Sequence, residues 1–478
     1  MTAAHIEADP ETVELSTQGW LRALYAVLAG STERTRTQRN AVVAFAVRCA
    51  SAALLYSSQI ALARWMGSEQ YGIYVFVWTC VLLAGGLAHL GLNLGIIGLI
   101  PYHRARGELD TLRGLIFSGR VFALAAGTIV ALLGVAGLAL FEPFISADYR
   151  LAAYLALVCV PLYAMTDVQD GIGRASGWMD AALIPPYVMR PLLILLGMAA
   201  AHGLGLPMVA TTAAQVAILA TWATGIGQAM WINERAHATF GQGPKTYAPW
   251  LWLASSLPLL AISGCEILLQ NVDILALSRF MTPTDVAIYF AAGKTMSLIM
   301  FVHYAVGSAM ANKFASLKAS GDAAGQRHGD LAAQAAAAKR QVKLQACVRD
   351  AVNWTFWPSL AAAIVILILG EPLLALFGPQ YATGYPVMAI LVVGFLSRSA
   401  MGPAEFLLNM QGEQARCAAV MVTAAGLDIA LNVILVPVYG LTGAALATAA
   451  ALMTAAGLNA AVAKQRLGLN VAIWHNLR

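Results

Sequence analysis

Apolar runs of about twenty residues follow one another from residue 41 to residue 463, each long enough to cross the ~30 Å hydrocarbon layer as a helix. Lipid offers no water to backbone N–H and C=O groups, so such a chain must close its hydrogen bonds within helices. The pattern predicts an all-α, polytopic membrane protein of about twelve spans. They fall near residues 41–63, 72–100, 119–140, 151–169, 179–201, 206–232, 250–277, 287–312, 351–370, 384–410, 417–437 and 441–463. The composition agrees: only 11% of the residues are charged, against roughly a quarter in soluble chains.

Cations set the orientation, because cytoplasmic loops hold the excess of Lys and Arg. Arg22, Arg34, Arg36 and Arg39 precede the first span, Arg104, Arg106, Arg113 and Arg120 follow the second, and Lys464, Arg466 and Arg478 end the chain. The expected outer side holds only Arg64, Arg150 and Arg279. Both termini are therefore expected in the cytoplasm, with the protein in a bacterial inner membrane. The first apolar stretch, Trp20 to Ala29, is short and follows acidic residues, which is unlike a secretory signal; residues 17–29 could instead form an interfacial helix.

The chain also repeats. Ala61, Leu62, Arg64, Met66, Ile73 and Tyr74 recur 215 positions later as Ala276, Leu277, Arg279, Met281, Ile288 and Tyr289. Two six-helix lobes related by a pseudo-twofold axis along the membrane normal are implied. The expected organisation is a cytoplasmic segment over 1–40, a first lobe over 41–232, a connection over 233–249, a second lobe over 250–463 and a cytoplasmic tail over 464–478. A cytoplasmic helical loop over 313–350 interrupts the second lobe.

Enzymatic motifs are lacking. There is no GxxxxGK[ST], HExxH or GxSxG, and the loops leave no room for a soluble catalytic domain. The chain is not expected to be an enzyme. The six cysteines form no CxxC pair, which points to neither a metal site nor a disulfide framework. The net charge of +5 is not gathered into a basic, aromatic-interleaved patch, so nucleic acid is not an expected partner. No cofactor is expected.

Charges inside a membrane are costly and mark functional sites by default. Arg48, Arg190, Lys294 and Arg398 are the cations; Glu266, Asp273, Glu405 and Asp428 are the acids. Helical spacing places Ser263, Glu266, Gln270 and Asp273 on one face, Arg48, Ser51 and Gln59 on another, and Lys294, Ser297, Ser308 and Asn312 on a third. Arg398 and Glu405, seven residues apart, share a face from which each could satisfy a neighbouring helix. Arg48, Gln59, Arg190, Lys294 and Arg398 are candidates for binding an anionic substrate. Glu266, Gln270, Asp273 and Asp428 are candidates for ion coupling, with H+ or Na+ as the ion.

Leu431 to Met453 (LNVILVPVYGLTGAALATAAALM) resembles the last helical hairpin of polysaccharide flippases in the multidrug, oligosaccharidyl-lipid and polysaccharide exporter superfamily. The matching positions are Leu431, Asn432, Pro437, Gly440, Gly443, Ala444, Ala445, Ala447 and Thr448. EPLLALFGPQYATGYPVMAIL from Glu371 and LARWMGSEQYGIYVF from Leu62 are similar to two further hairpins of that family, and Asp273 through Tyr289 to its acid, short loop and helix-opening Tyr. The chain departs from the pattern at His89, where the family often has Asp, and around Ala311 and Asn312, where it commonly has Pro.

The resemblance implies a two-lobed bundle that alternately opens to each side. Its substrate would be an undecaprenyl-diphosphate-linked oligosaccharide, carried to the outer leaflet during polysaccharide biosynthesis. Its partners would be the lipid-linked oligosaccharide, membrane lipid, and a polysaccharide polymerase and export machinery. A cation-coupled multidrug antiporter of the same superfamily is the alternative reading, followed by a membrane enzyme of glycan assembly.

Overall fold

The computed structural model describes the backbone of residues 33–144, 147–325 and 330–477, and side chains from Ala50 onward except at 144–146, 308, 312, 319–337 and 478. Residues 17–29, for which an interfacial helix and a disordered tail are both open, and the side chains of Arg48, Ser308 and Asn312 lie outside the described residues. Among the described residues the fold is all helical: α1 (Glu33–Ala88), α2 (Leu92–Ala105), α3 (Leu109–Leu140), α4 (Ala147–Leu157), α5 (Val160–Ser176), α6 (Met179–Ile184), α7 (Arg190–Gly203) and α8 (Ala210–Phe240) come first. They are followed by α9 (Pro249–Leu269), α10 (Val272–Phe280), α11 (Pro283–Ser297), α12 (Met300–Gly325), α13 (Asp330–Ile368), α14 (Gly370–Ala375), α15 (Tyr385–Ala400), α16 (Ala404–Gln411) and α17 (Gln414–Leu467).

Two of these helices are hairpins. A straight α1 of 56 residues would be ~84 Å long, nearly three bilayer cores. Gly67 leaves the helical region at φ 74 and ψ 165, and the Tyr71 hydroxyl donates to Gln59 Oε1 at 2.7 Å. Twelve residues apart, these two would be separated by ~18 Å in a straight helix. Gly440 reverses α17 in the same way, at φ 57 and ψ −129. Among the described residues seven helices are long and apolar enough to cross a membrane, and two bent pairs, α4 with α5 and α11 with α12, qualify when each is taken together. Counting both arms of each hairpin gives eleven such segments; α8, where a span is expected over 206–232, has 31 residues and is not one of them. Exposed side chains such as Leu133 (67%), Ile368 (74%) and Val438 (71%) show why the surface needs lipid.

The lobes meet through the repeated motif itself. One continuous apolar core runs from Leu62, Tyr71, Ile73 and Tyr74 to Leu277, Ile288 and Tyr289, so the two copies pack against each other. Thr282 and Asp285 form a capping box with Pro283 at the first helical position, which fixes the start of α11. That places the Pro283 carbonyl directly against Gly72, where a Cβ would come within 1.8 Å of it. Ser68 Oγ lies 3.3 Å from Thr284 Oγ1, and Tyr56 Oη 3.0 Å from Thr295 Oγ1. Arg64 caps the last carbonyls of α14, donating to Leu376 O at 2.6 Å and Ala375 O at 3.0 Å.

At the other end, where the basic loops lie, two further apolar cores form. Leu112, Leu115, Ile116 and Ile172 belong to a core that includes Trp252 of α9. Phe314, Leu344, Val348 and Leu407 belong to another. The connection between the lobes is strapped to α3 by a Thr246 N–H to Asp110 O bond of 3.0 Å and by Arg113, which donates to Phe240 O and Pro244 O. Residues 313–350, expected as a cytoplasmic helical loop, form the ends of α12 and α13 as far as they are described. The tail after Leu467 folds back onto α13, where Gln345 and Asn353 bond with Asn470 and Asn476.

Candidate functional site

In the first lobe the chain passes from α6 into a π-helical turn, Pro185–Met189, before α7 begins at Arg190. Pro185, Pro186 and Pro191 lack N–H groups, so the regular i to i−4 ladder cannot be maintained. The irregular turn sets Arg190 into the lobe at 9% exposure. Its guanidinium lies 4.7 Å from the centre of the Tyr163 ring and 5.9 Å from that of Trp78. Its Nη1 has no hydrogen-bond partner. Aromatic faces stabilise a cation without neutralising it, so the positive charge remains available.

The second lobe does not carry the single polar stripe expected on span seven. The helix breaks at Gln270 and Asn271, where Asn271 Nδ2 turns back to Ile267 O at 2.8 Å. The break rotates α10 relative to α9, so Glu266 and Asp273 enter different clusters and Gln270 is exposed.

Asp273 belongs to a cluster near the end that carries Gly67 and Gly440. It lies beside Tyr289 and in the field of Lys294. Tyr289 is 3.2 Å from Thr448 Oγ1, and Asp428 shares the electrostatic neighbourhood of Asp273. Asn432, one turn after Asp428, donates to Asp428 Oδ1 at 2.9 Å. That leaves Asp428 Oδ2 and Asn432 Oδ1 buried without a partner. Orphaned oxygens beside two carboxylates are a donor set that fits a small hard cation or a proton. Lys294, which also lies 5.0 Å from the Phe290 ring centre, supplies a positive charge to this cluster rather than joining Arg190.

Glu266 belongs to the other cluster. Arg398 grips Glu405 with Nη2 contacts of 2.6 and 2.7 Å, so the two satisfy each other and not separate neighbouring helices. The break at Met401 to Pro403, with Gly402 at φ 59, lets residues seven apart come together. His303 Nε2 lies 3.3 Å from Glu405 Oε1. Tyr304 is 5.8 Å below the Arg398 guanidinium and bonds Glu266. Arg398 is thus neutralised, whereas Arg190 is not. Gln59 spends its Oε1 on Tyr71 and so closes the α1 hairpin.

Among the described residues no group of three or more His, Cys, Asp or Glu is placed to hold a metal ion. Sequence reasoning did not single out Asp167, His303, Tyr304, Tyr163 or Trp78. The aromatic residues look like ordinary core, and only the fold shows which charge each one faces.

No family model and no curated sequence matches the chain. Solved structures do. An inward-facing multidrug resistance MATE family transporter of the MOP superfamily superposes with a TM-score of 0.64 at 15% identity, covering 89% of this chain and 98% of that one. The lipid II flippase MurJ, in an inward closed conformation, gives 0.65 at 12% identity, covering 88% and 87%. The chain has the MOP-transporter fold. A MOP superfamily transporter from Pyrococcus furiosus, described as having a binding pocket of reverse polarity, gives 0.62 at 16% identity over 93% of this chain and 97% of that one. At such identities the agreement concerns the fold alone.

Proposed function

We propose that this protein is an alternating-access transporter of the bacterial inner membrane that flips undecaprenyl-diphosphate-linked oligosaccharide from the inner to the outer leaflet. The observation that carries the reading is Arg190, a buried guanidinium held by Tyr163 and Trp78 with Nη1 unpartnered. A diphosphate crossing a low-dielectric core needs cations whose charge has not been spent on a carboxylate. Arg48 is assigned to the same path from its sequence position. The lipid tail stays in the bilayer while the lobes, which share a core at the Gly67 end and meet again where Trp252 of α9 joins the first lobe's core, rock about their seam.

In this reading the Asp273, Asp428, Asn432 and Thr448 cluster couples the cycle to H+ or Na+. The ion neutralises a buried carboxylate and changes how α10 and α17 pack against α11. A drug antiporter is the second reading, favoured by the likeness to multidrug transporters and by these same acids.

Arg190 separates the two. Arg190→Ala should reduce surface polysaccharide at least tenfold at matched protein levels, and Arg190→Lys should restore part of it, because lysine keeps the charge and loses the fork. Intact polysaccharide in Arg190→Ala, with impaired drug efflux, would favour the antiporter.

A further inference from the structure

The first lobe holds a buried titratable pair that neither the diphosphate path nor the Asp273 cluster uses. His89 is fully buried, its Nε2 lies 3.5 Å from Asp167 Oδ2, and neither of its ring nitrogens makes a hydrogen bond. A buried imidazole with two idle nitrogens is costly unless it has a task. Asp167, 28% exposed at its side chain, connects it to the surface.

His89 also sits at the most strained point of the backbone. Leu90 comes next at φ 50, the single non-glycine residue with positive φ among those described, and Gly91 at φ 77 completes the break between α1 and α2. Such strain persists only where the surroundings impose it. Here they do so from the other lobe: a Cβ on Gly91 would lie 2.4 Å from Ser256 O and 2.6 Å from Leu260 N, both on α9. A Cβ on Gly171, one turn beyond Asp167 on α5, would lie 2.3 Å from Asn93 O of α2. The break therefore joins the His89–Asp167 pair to the contact between the lobes at the basic end.

The geometry points to His89 and Asp167 as a proton-binding site in the first lobe that controls the break at Leu90–Gly91 and, through it, the contact of α2 with α9. Proton uptake converts neutral imidazole to imidazolium: one N–H bond forms as one O–H bond of a hydronium ion breaks and leaves water, and release reverses both. The cation draws Asp167 from 3.5 Å into hydrogen-bond range, pulling α5 toward the break. Titratable groups near the pair, among the described residues, come from α5, from Tyr187 of the π-helical turn and from α9. On α5 they are Tyr163, with Arg190 beyond it, and the Asp170–Arg174 ion pair. On α9 they are the uncharged Ser256 and, farther along, Glu266, which is turned toward Tyr304 and Arg398. The proposal rests on the alternating-access reading but not on the identity of the substrate.

The test needs no substrate. Spin labels on Ala105→Cys and Ala461→Cys, with the native cysteines replaced, report the separation of the lobes at the basic end in lipid nanodiscs between pH 5 and pH 8.5. The unaltered site should give a distance distribution that differs between the two ends of this pH range. His89→Gln should remove that difference, and Asp167→Asn should reduce it, having lost the partner that the imidazolium would draw in. A His89→Gln response superimposed on that of the unaltered protein, or an unaltered protein insensitive to pH, would overturn the proposal. If His89→Gln does not fold, Asp167→Asn decides alone, an unchanged response counting against it. Polysaccharide export plays no part in this readout, so a wrong substrate assignment would leave the result standing.

Discussion

Gly72 is the point at which one methyl group should drive the lobes apart. A Cβ there would lie 1.8 Å from Pro283 O and 2.5 Å from its carbonyl carbon. Both are backbone atoms, locked by the capping box of Thr282 and Asp285, so no side chain can rotate to relieve the overlap. Restoring even a tight contact requires a displacement of more than about 1 Å between α1 and α11, that is, between the lobes. Overpacking of this kind costs roughly 1–3 kcal/mol. At about 1.4 kcal/mol per tenfold, Gly72→Ala should depopulate the state closed at this end by roughly 5- to 150-fold. The assay is the rate at which a membrane-impermeant maleimide labels Thr284→Cys, at the seam beside Ser68, in a background without native cysteines. Gly72→Ala should raise that rate by a similar factor. Gly98→Ala, whose Cβ would meet nothing within 4 Å, should leave it unchanged. Folded Gly72→Ala protein labelled no faster than its parent would show that this seam does not gate access.

Glu405→Gln should lower stability by about 3–5 kcal/mol, because it strips the carboxylate from a buried Arg398; thermal unfolding should show a lowered midpoint, recovered in part when Arg398→Met is added. Asp428→Asn should abolish ion-dependent stabilisation, measured as the rise of the melting midpoint with Na+ or with acidification. A shift retained in full would remove Asp428 from ion coupling. Glu108, in the turn between α2 and α3, has its carboxyl held below the usual range by its bond from His103 and then by Arg106. Its contribution is therefore present above a pH of about 4 and is lost as the pH falls through the lowered value. Glu108→Gln should flatten the acid-side loss of stability.

The sequence by itself determined the solvent and the helical class, because twenty-residue apolar runs admit one solution in a bilayer. It also located the turn motifs of both lobes, since the repeat carries them. It could not show that the two copies of the repeat, Gly72 with Tyr74 and Pro283 with Tyr289, would be packed against each other. Helical periodicity also failed beyond each break. Glu266 and Asp273 share a face only if α9 and α10 are one helix, and the interruption at Gln270–Asn271 sends them to different partners. Conversely, the interruption at Met401 to Pro403 brings Arg398 and Glu405 within 2.7 Å. Which intramembrane charge is neutralised and which stays free depends on neighbours from other helices. Tertiary structure alone placed Glu405 on Arg398, aromatic rings on Arg190, and Asp167 beside His89.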